Sequence, residues 1–457
     1  MDAQSALPSN GWSAVMSDLH EDGEAAAPLG TGLRRAFRSP SVMIVARVPV
    51  LLAGLVIAPL LARGLGPSQR GYVAAATAAL AIAPVVLGFG VPMAIRHRSA
   101  IQEPAPFVRA GALLALFATI PAAIVGYLLW RVALPDLDGA TGWTFVAVMA
   151  MTPAFLQVLN DQSVLIARNQ YGRVAAIQSA QPLIYASVIG IWWSVAELSV
   201  RVVVGAYGAS MLGAALIGYV LVAAPLWGKR SGLAALAREG VPYAGGQIAE
   251  IASSRLDQVL MVSVIGSSGA GWYSVAALLG SLPVVIGQTI GAATFRTVAL
   301  LSEKERPHAR SAILRAALVL GGSIGVLGAA VVPWAVPLLF GPEFVDAVAP
   351  SMVLVLVAPF VVGGHVAAMM LAAEGRGRAM TAAQVSGLVA GIALLLTLGP
   401  VLGVLGAAIA SACGYVTVAA IATARLKLPL RDLRLRRGDL PAAGSLLRHG
   451  VLRRTSP

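Results

Sequence analysis

Charge is scarce in this chain. Asp, Glu, Lys and Arg make up 12% of its 457 residues, about half the share of an ordinary soluble domain. Mean hydropathy is +0.81, and together these values exclude a soluble globular protein. Cysteine is almost absent: Cys413 stands alone in an apolar run, so no internal disulfide forms and a packed thiol is expected. Acids are scarcer than bases, 20 against 33. The excess of positive charge does not indicate nucleic acid, because the basic residues are scattered between apolar segments and form no single stripe. Anionic lipid is the expected partner of these residues. Also missing are a nucleophile triad, a phosphate-binding glycine loop and a His/Cys metal set, so no catalytic residue, metal or cofactor is expected. The first thirty residues hold no short apolar run with a small-residue cleavage site. Residues 1–40 are read as a disordered cytoplasmic leader and the first membrane helix as an uncleaved anchor.

What the chain does have is length in apolar runs, with 49 Gly and 27 Pro among them. A helix needs about 20 apolar residues to cross a bilayer, and small residues and kinks are tolerated there. Twelve spans are predicted, at roughly 41–62, 72–95, 110–134, 143–166, 174–196, 201–226, 241–265, 272–298, 311–339, 348–373, 380–401 and 403–424. The gaps alternate in charge. Arg96, Arg98, Arg109, Arg168, Arg173, Lys229, Arg230, Arg238, Arg296, Lys304, Arg306, Arg310, Arg376 and Arg378 fall on one side, with the basic tail from Arg425. The other side holds only Arg63, Arg70, Arg131 and Arg201, beside Asp136, Asp138, Glu197, Glu343 and Asp346. The positive-inside rule therefore puts both termini in the cytoplasm of a multi-pass protein of the inner or plasma membrane.

The most polar internal gap, 227–240, divides the chain into an N-terminal six-helix lobe, 41–226, and a C-terminal one, 241–424, followed by a basic cytoplasmic tail, 425–457. The halves look related. Leu65-Gly66, Gly71-Tyr72 and Pro84-Val85-Val86-Leu87-Gly88 in the first have counterparts in Ile265-Gly266, Trp272-Tyr273 and Pro283-Val284-Val285-Ile286-Gly287 in the second. An even unit repeated in parallel orientation implies an axis along the membrane normal and a substrate path between the lobes.

Several strings occur together in order. Ala62-Arg63-Gly64-Leu65-Gly66-Pro67 with Gly71-Tyr72 ends the first span, and Gly88-Phe89-Gly90 the second. Arg255-Leu256-Asp257 lies in the seventh, with Trp272-Tyr273 opening the eighth. Phe340-Gly341-Pro342-Glu343-Phe344, Gly375-Arg376-Gly377-Arg378 and Gly403-Val404-Leu405-Gly406-Ala407-Ala408-Ile409-Ala410 follow. From about residue 40 to 425 the chain resembles the polysaccharide (O-antigen type) flippases of the multidrug/oligosaccharidyl-lipid/polysaccharide exporter superfamily. The resemblance implies an all-α membrane protein, two six-helix lobes forming a V, which moves undecaprenyl-diphosphate-linked sugars between leaflets by alternating access for cell-surface polysaccharide and lipopolysaccharide biosynthesis. A glycan polymerase and export machinery are the implied partners. The eleventh span, Val389 to Leu398, lacks the Asn that many members carry, and the extra spans of peptidoglycan-precursor flippases are missing.

Charged groups inside the membrane cost about 2.5–3.5 kcal/mol or more each and mark candidate sites. Gln247, Glu250, Ser254 and Asp257 share one face of the seventh span. Arg255 lies about 200° away from Asp257, so these two are not expected to pair. Glu250, Asp257, Arg255, Asp161 and His365 are the candidates for a cavity wall or ion coupling. Arg47, Asn160, Gln178 and Gln181 are the candidates for contact with a diphosphate headgroup. The competing readings are helix bracing for Arg255 and Asp257, interhelical hydrogen bonding for the fourth- and fifth-span amides, snorkelling for Arg47 and Arg315, and packing for His365.

A lipid-linked oligosaccharide flippase is the leading reading, moved without nucleotide hydrolysis in this chain. A drug/cation antiporter of the same superfamily is the runner-up. A membrane glycosyltransferase or polymerase would use Asp136-Leu137-Asp138 as a metal-binding DxD, but has no long outer loop to hold a second substrate. A purely structural scaffold leaves the polar faces unexplained.

Overall fold

Long apolar runs have only one way to satisfy their backbone inside a bilayer without a closed barrel, and all the regular structure of the described residues is helical. The structure is a computed structural model that describes residues 47–224, 227–300 and 306–428. The leader at 1–40, most of the tail and the side chains of Arg47, Glu250 and Ser254 lie outside the described residues. The helices are α1 (Arg47–Leu87), α2 (Val91–Ile101), α3 (Ala105–Phe117), α4 (Thr119–Ala133), α5 (Gly139–Ala150), α6 (Thr152–Ala167), α7 (Tyr171–Val195), α8 (Val200–Val222), α9 (Leu233–Leu300), α10 (Arg306–Phe340), α11 (Val348–Leu356), α12 (Ala358–Ala373) and α13 (Gly377–Arg425). A 3-10 turn, Pro342–Ala347, precedes α11.

Three of these helices each hold two crossings, broken at Gly66, Gly266 and Gly403. Where two consecutive helices make one crossing, as α3 with α4 or α11 with α12, the bilayer is crossed twelve times. Gly66 (φ 68°, ψ 175°) and Gly266 (φ 76°, ψ 169°) adopt nearly the same left-side conformation at equivalent places in the two halves. That backbone region is open essentially to glycine alone. The repeat read from the sequence is thus carried by matching hairpins.

The helix that carries the seventh crossing begins at Leu233, ahead of the crossing itself, so the second part of the 227–240 segment is helical. The second crossing runs on through α2 to Ile101 after a break at Gly88–Gly90. Arg70, expected in an outer gap, is buried within α1 at 7% exposure. Its Nη1 donates to the Ala58 carbonyl at 3.0 Å, and its guanidinium carbon lies 6.0 Å from the Phe340 ring centre. Arg315, expected to snorkel, is likewise packed inside at 6% exposure.

The largest apolar cluster joins both halves, with Leu61, Tyr72, Ala76 and Leu80 packed with Met261, Tyr273, Ala276 and Ala407. Two ends of the seam between the lobes are therefore distinct. At the hairpin end, where Gly66 and Gly266 lie, a Cβ on Gly71 would fall 2.0 Å from the Ser267 carbonyl oxygen, and one on Gly271 1.8 Å from that of Pro67. The two contacts are reciprocal, as a pseudo-two-fold axis between the halves requires. Ser68 and Ser267 hydroxyls meet across it at 2.8 Å. Arg63 donates from Nε to the Leu339 carbonyl at 2.9 Å and from Nη2 to that of Leu338, capping the end of α10. At the basic end, Gly90 and Gly240 touch backbone to backbone. Arg98 and Glu239 form an ion pair there, with Nε to Oε2 at 2.9 Å.

Candidate functional site

Between these two contacts lies a cavity of about 260 Å³ on the basic side of the seam. The second crossing contributes Pro84, Pro92 and Arg96, the fourth Gln162 and Ser163, and the seventh Gln247 and Ile251. Both lobes line it. The break at Gly88-Phe89-Gly90 explains how Arg96 arrives. Phe89 (φ 42°) and Gly90 (φ 73°) turn the chain out of the α1 axis, and Pro92 restarts the helix as α2. Arg96 follows one turn later and brings a cation into a cavity whose other polar groups are neutral. Its Nε is buried with no hydrogen-bond partner among the described residues. A guanidinium with a spare donor beside amides and a hydroxyl is suited to a phosphate.

The sequence candidates divide around this cavity. Gln178 donates from Nε2 to Gln162 Oε1 at 3.4 Å and so braces a lining residue from behind. Gln181 donates to Ser210 Oγ at 3.3 Å, linking α7 to α8 within the first lobe. Asn160 is 1% exposed and packs at Gly111 of α3, away from the seam. Asp161, also 1% exposed, accepts from Gln157 Nε2 at 2.7 Å. It lines a different cavity, inside the first lobe. Gln247 reaches the seam cavity.

Asp257 turns into its own lobe. Tyr273 donates to its Oδ2 at 2.7 Å, and the Gln258 amide to Oδ1 at 2.8 Å. Ser411 Oγ lies 2.7 Å from the Tyr273 hydroxyl, so a chain of hydrogen bonds joins the seventh, eighth and twelfth crossings. Arg255, on the same helix, is exposed. His365 spends Nδ1 on the Val361 carbonyl of its own helix, at 2.9 Å, and packs against Gly287.

The acidic pair of the DxD string has structural partners. Asp136 Oδ2 accepts from the Tyr72 hydroxyl at 2.8 Å. Asp138 caps α5, accepting from the Thr141 amide at 3.1 Å, and hydrogen bonding to Thr141 holds its carboxyl below the usual range. Among the described residues no group of three His, Cys, Asp or Glu could hold a metal ion.

Sequence reasoning passed over Arg96 and Gln162. By the alternation of charge alone, Arg96 is one more orienting charge in a gap. The signal that distinguishes it is its place just after a double-glycine break in an apolar run, where the second crossing continues.

A sequence profile described as "Polysaccharide biosynthesis protein" matches residues 60–349. No curated protein sequence matches the chain significantly. Among solved structures, a lipid II flippase, MurJ, in an inward closed conformation superposes with a TM-score of 0.68 at 12% identity, over 89% of this chain and 90% of that one. An inward-facing multidrug resistance MATE family transporter of the MOP superfamily gives 0.66 at 12% identity, over 86% and 98%. A MOP superfamily transporter from Pyrococcus furiosus, whose binding pocket is described as of reverse polarity, gives 0.57 at 14% identity, over 88% and 98%. The fold is the one these transporters share.

Proposed function

Because the chain belongs to the polysaccharide biosynthesis protein family, we propose that it flips an undecaprenyl-diphosphate-linked oligosaccharide from the inner to the outer leaflet. The observation that carries the reading is Arg96 in the seam cavity, with an unpartnered donor and with lining residues from both lobes. In this reading the basic end faces the cytoplasm, as do both termini, and the diphosphate enters beside Arg96, Gln162 and Gln247. A cavity of about 260 Å³ suits a headgroup fragment. A full oligosaccharide requires parting of the Gly90–Gly240 and Arg98–Glu239 contacts, while the lipid tail stays in the bilayer. Closing that end and opening the hairpin end then releases the glycan outward. The lobes at 41–226 and 241–424 act as the two moving bodies. No step consumes a nucleotide in this chain, so the drive is a gradient of ions, charge or substrate.

The described lining of the seam cavity holds a cation and no acid. A transporter of cationic drugs needs the reverse, and this weighs against the antiporter reading. Arg96→Ala should remove a charge-assisted contact to phosphate, worth about 1.5–3 kcal/mol, and lower export about ten-fold or more. Arg96→Lys should retain part of it. Surface glycan display and intracellular lipid-linked glycan in a deletion strain complemented with each variant provide the measurement. Normal display from a stably inserted Arg96→Ala protein would defeat the proposal.

A further inference from the structure

Two strings singled out in the sequence meet at the hairpin end of the seam, and neither lines the cavity. Ala62-Arg63-Gly64-Leu65-Gly66-Pro67 closes the first crossing, and Phe340-Gly341-Pro342-Glu343-Phe344 closes the ninth. Arg63 stands in the first lobe, while the Leu338 and Leu339 carbonyls that its guanidinium bonds belong to the second. The last carbonyls of a helix have no partner within it. The Gly341 amide fills that of Pro337 in α10, and Arg63 fills the next two. Behind this contact, Ala58 and Ala62 of α1 pack with Val332, Val336, Phe340 and Phe344 as one apolar corner. Glu343 lies over the Gly66 turn, its Oε2 3.3 Å from where a Cβ on Gly66 would stand.

The Arg63 contact is made at an open surface. Arg63 is exposed, and Leu338 and Leu339 are 71% and 45% exposed. Water can therefore take over each hydrogen bond when the helices part, and no group is left buried without a partner. The attraction of a cation for a helix C-terminus also fades within about one turn. The repeat does not copy this residue. Gly66 and Gly266 share a backbone conformation, but three residues before Gly266 stands Ser263, short and neutral. The ties within each lobe are duplicated: Tyr72 donates to Asp136 at 2.8 Å, and Trp272 donates to the Glu343 carbonyl at 2.9 Å. The charged tie between lobes at this end is single among the described residues.

We infer that Arg63 is a latch for the hairpin end. It adds to the apolar corner by holding the first crossing to the end of α10 while that end is shut, and it passes to water when the lobes part. Arg63 is thus a positioning residue, setting the balance between the two closures without touching what the seam carries. The inference rests on the alternating-access reading of the seam. Its test involves no glycan, so the latch and the flippase reading fail separately.

The test uses the full chain in a Cys413→Ser background, with Ala76→Cys as reporter. Ala76 is fully buried in the seam cluster, about 8 Å along α1 from Gly71. A membrane-impermeant maleimide is applied to right-side-out and to inside-out vesicles. Arg63→Ala should raise labelling of Ala76→Cys at least about three-fold. With Gln247→Cys as reporter instead, Arg63→Ala should lower labelling, because relief of one closure favours the other. Arg63→Lys, which keeps the charge, should fall between Arg63→Ala and the unaltered residue. Arg131→Ala removes another exposed cation, one that lies over Trp130 of its own helix, and should leave both reporters unchanged. Unchanged labelling of Ala76→Cys in Arg63→Ala, faster labelling of both reporters, or an equal response to Arg131→Ala would each overturn the latch. A rise confined to inside-out vesicles would support the latch and reverse the orientation proposed above.

Discussion

Asp257 has the same chemistry in the sequence and in the structure but a different address. Its spacing put it on a polar face of the seventh helix with Gln247 and Glu250, and Gln247 does reach the seam. The Asp257 carboxylate instead accepts from Tyr273, which in turn takes a hydrogen bond from Ser411. Helical periodicity gives the direction of a side chain about its own axis and says nothing of what stands opposite. Tyr273→Phe leaves Asp257 Oδ2 without its donor and should cost about 1–3 kcal/mol, visible as a lower unfolding midpoint in detergent. Asp257→Asn keeps an acceptor for Tyr273 and should be milder. An equal or larger loss for Asp257→Asn would show that the charge itself is what the network holds. Arg70 was equally legible as a residue type and equally misplaced, because its burial depends on Phe340, far along the chain.

At the scale of elements, the hairpin glycines show what a local pattern can deliver. Leu65-Gly66 and Ile265-Gly266 were read as matching strings, and both glycines hold the same sharp turn. The reciprocal approach of Gly71 and Gly271 to the opposite lobe was not readable, since each contact needs the partner helix in place. Ser68→Cys with Ser267→Cys, in a Cys413→Ser background, should crosslink under mild oxidation because the hydroxyls are 2.8 Å apart. Gly71→Ala should reduce that crosslink by at least half, since its Cβ has nowhere to go unless the helices separate. An unchanged crosslink would mean that the hairpin end absorbs a methyl group without parting.

For the molecule as a whole, the closure at the basic end includes the half-exposed Arg98–Glu239 ion pair, the Gly90–Gly240 backbone contact and an apolar cluster of Val91, Ala94 and Ile95 with Leu236. Hydrogen bonding and charge from Arg98 hold the Glu239 carboxyl below its usual range. A depressed carboxylate stabilises the closed form above its ordinary titration range and loses that contribution as pH falls through the lowered value. Pairs open to water are individually weak, so the apolar cluster shares the work of holding this end closed. Arg98→Glu should raise labelling of a cysteine placed at Gln247 by a membrane-impermeant thiol reagent in inside-out vesicles. Adding Glu239→Arg should restore protection. If the double variant labels as fast as the single one, the pair does not hold this end shut.

The sequence by itself determined the class and the crossings, because apolar length is a local property that a bilayer reads directly. It determined the repeat as well, through glycines whose backbone demand is local. Which polar groups line the seam, which brace a single lobe and which are left facing lipid were decided only by the tertiary structure. Those outcomes depend on groups that separate crossings bring together: Arg96 and Gln247 lining one cavity from the two lobes, Asp257 with Tyr273 and Ser411 within one lobe, and Asp161 at a groove that three crossings make together.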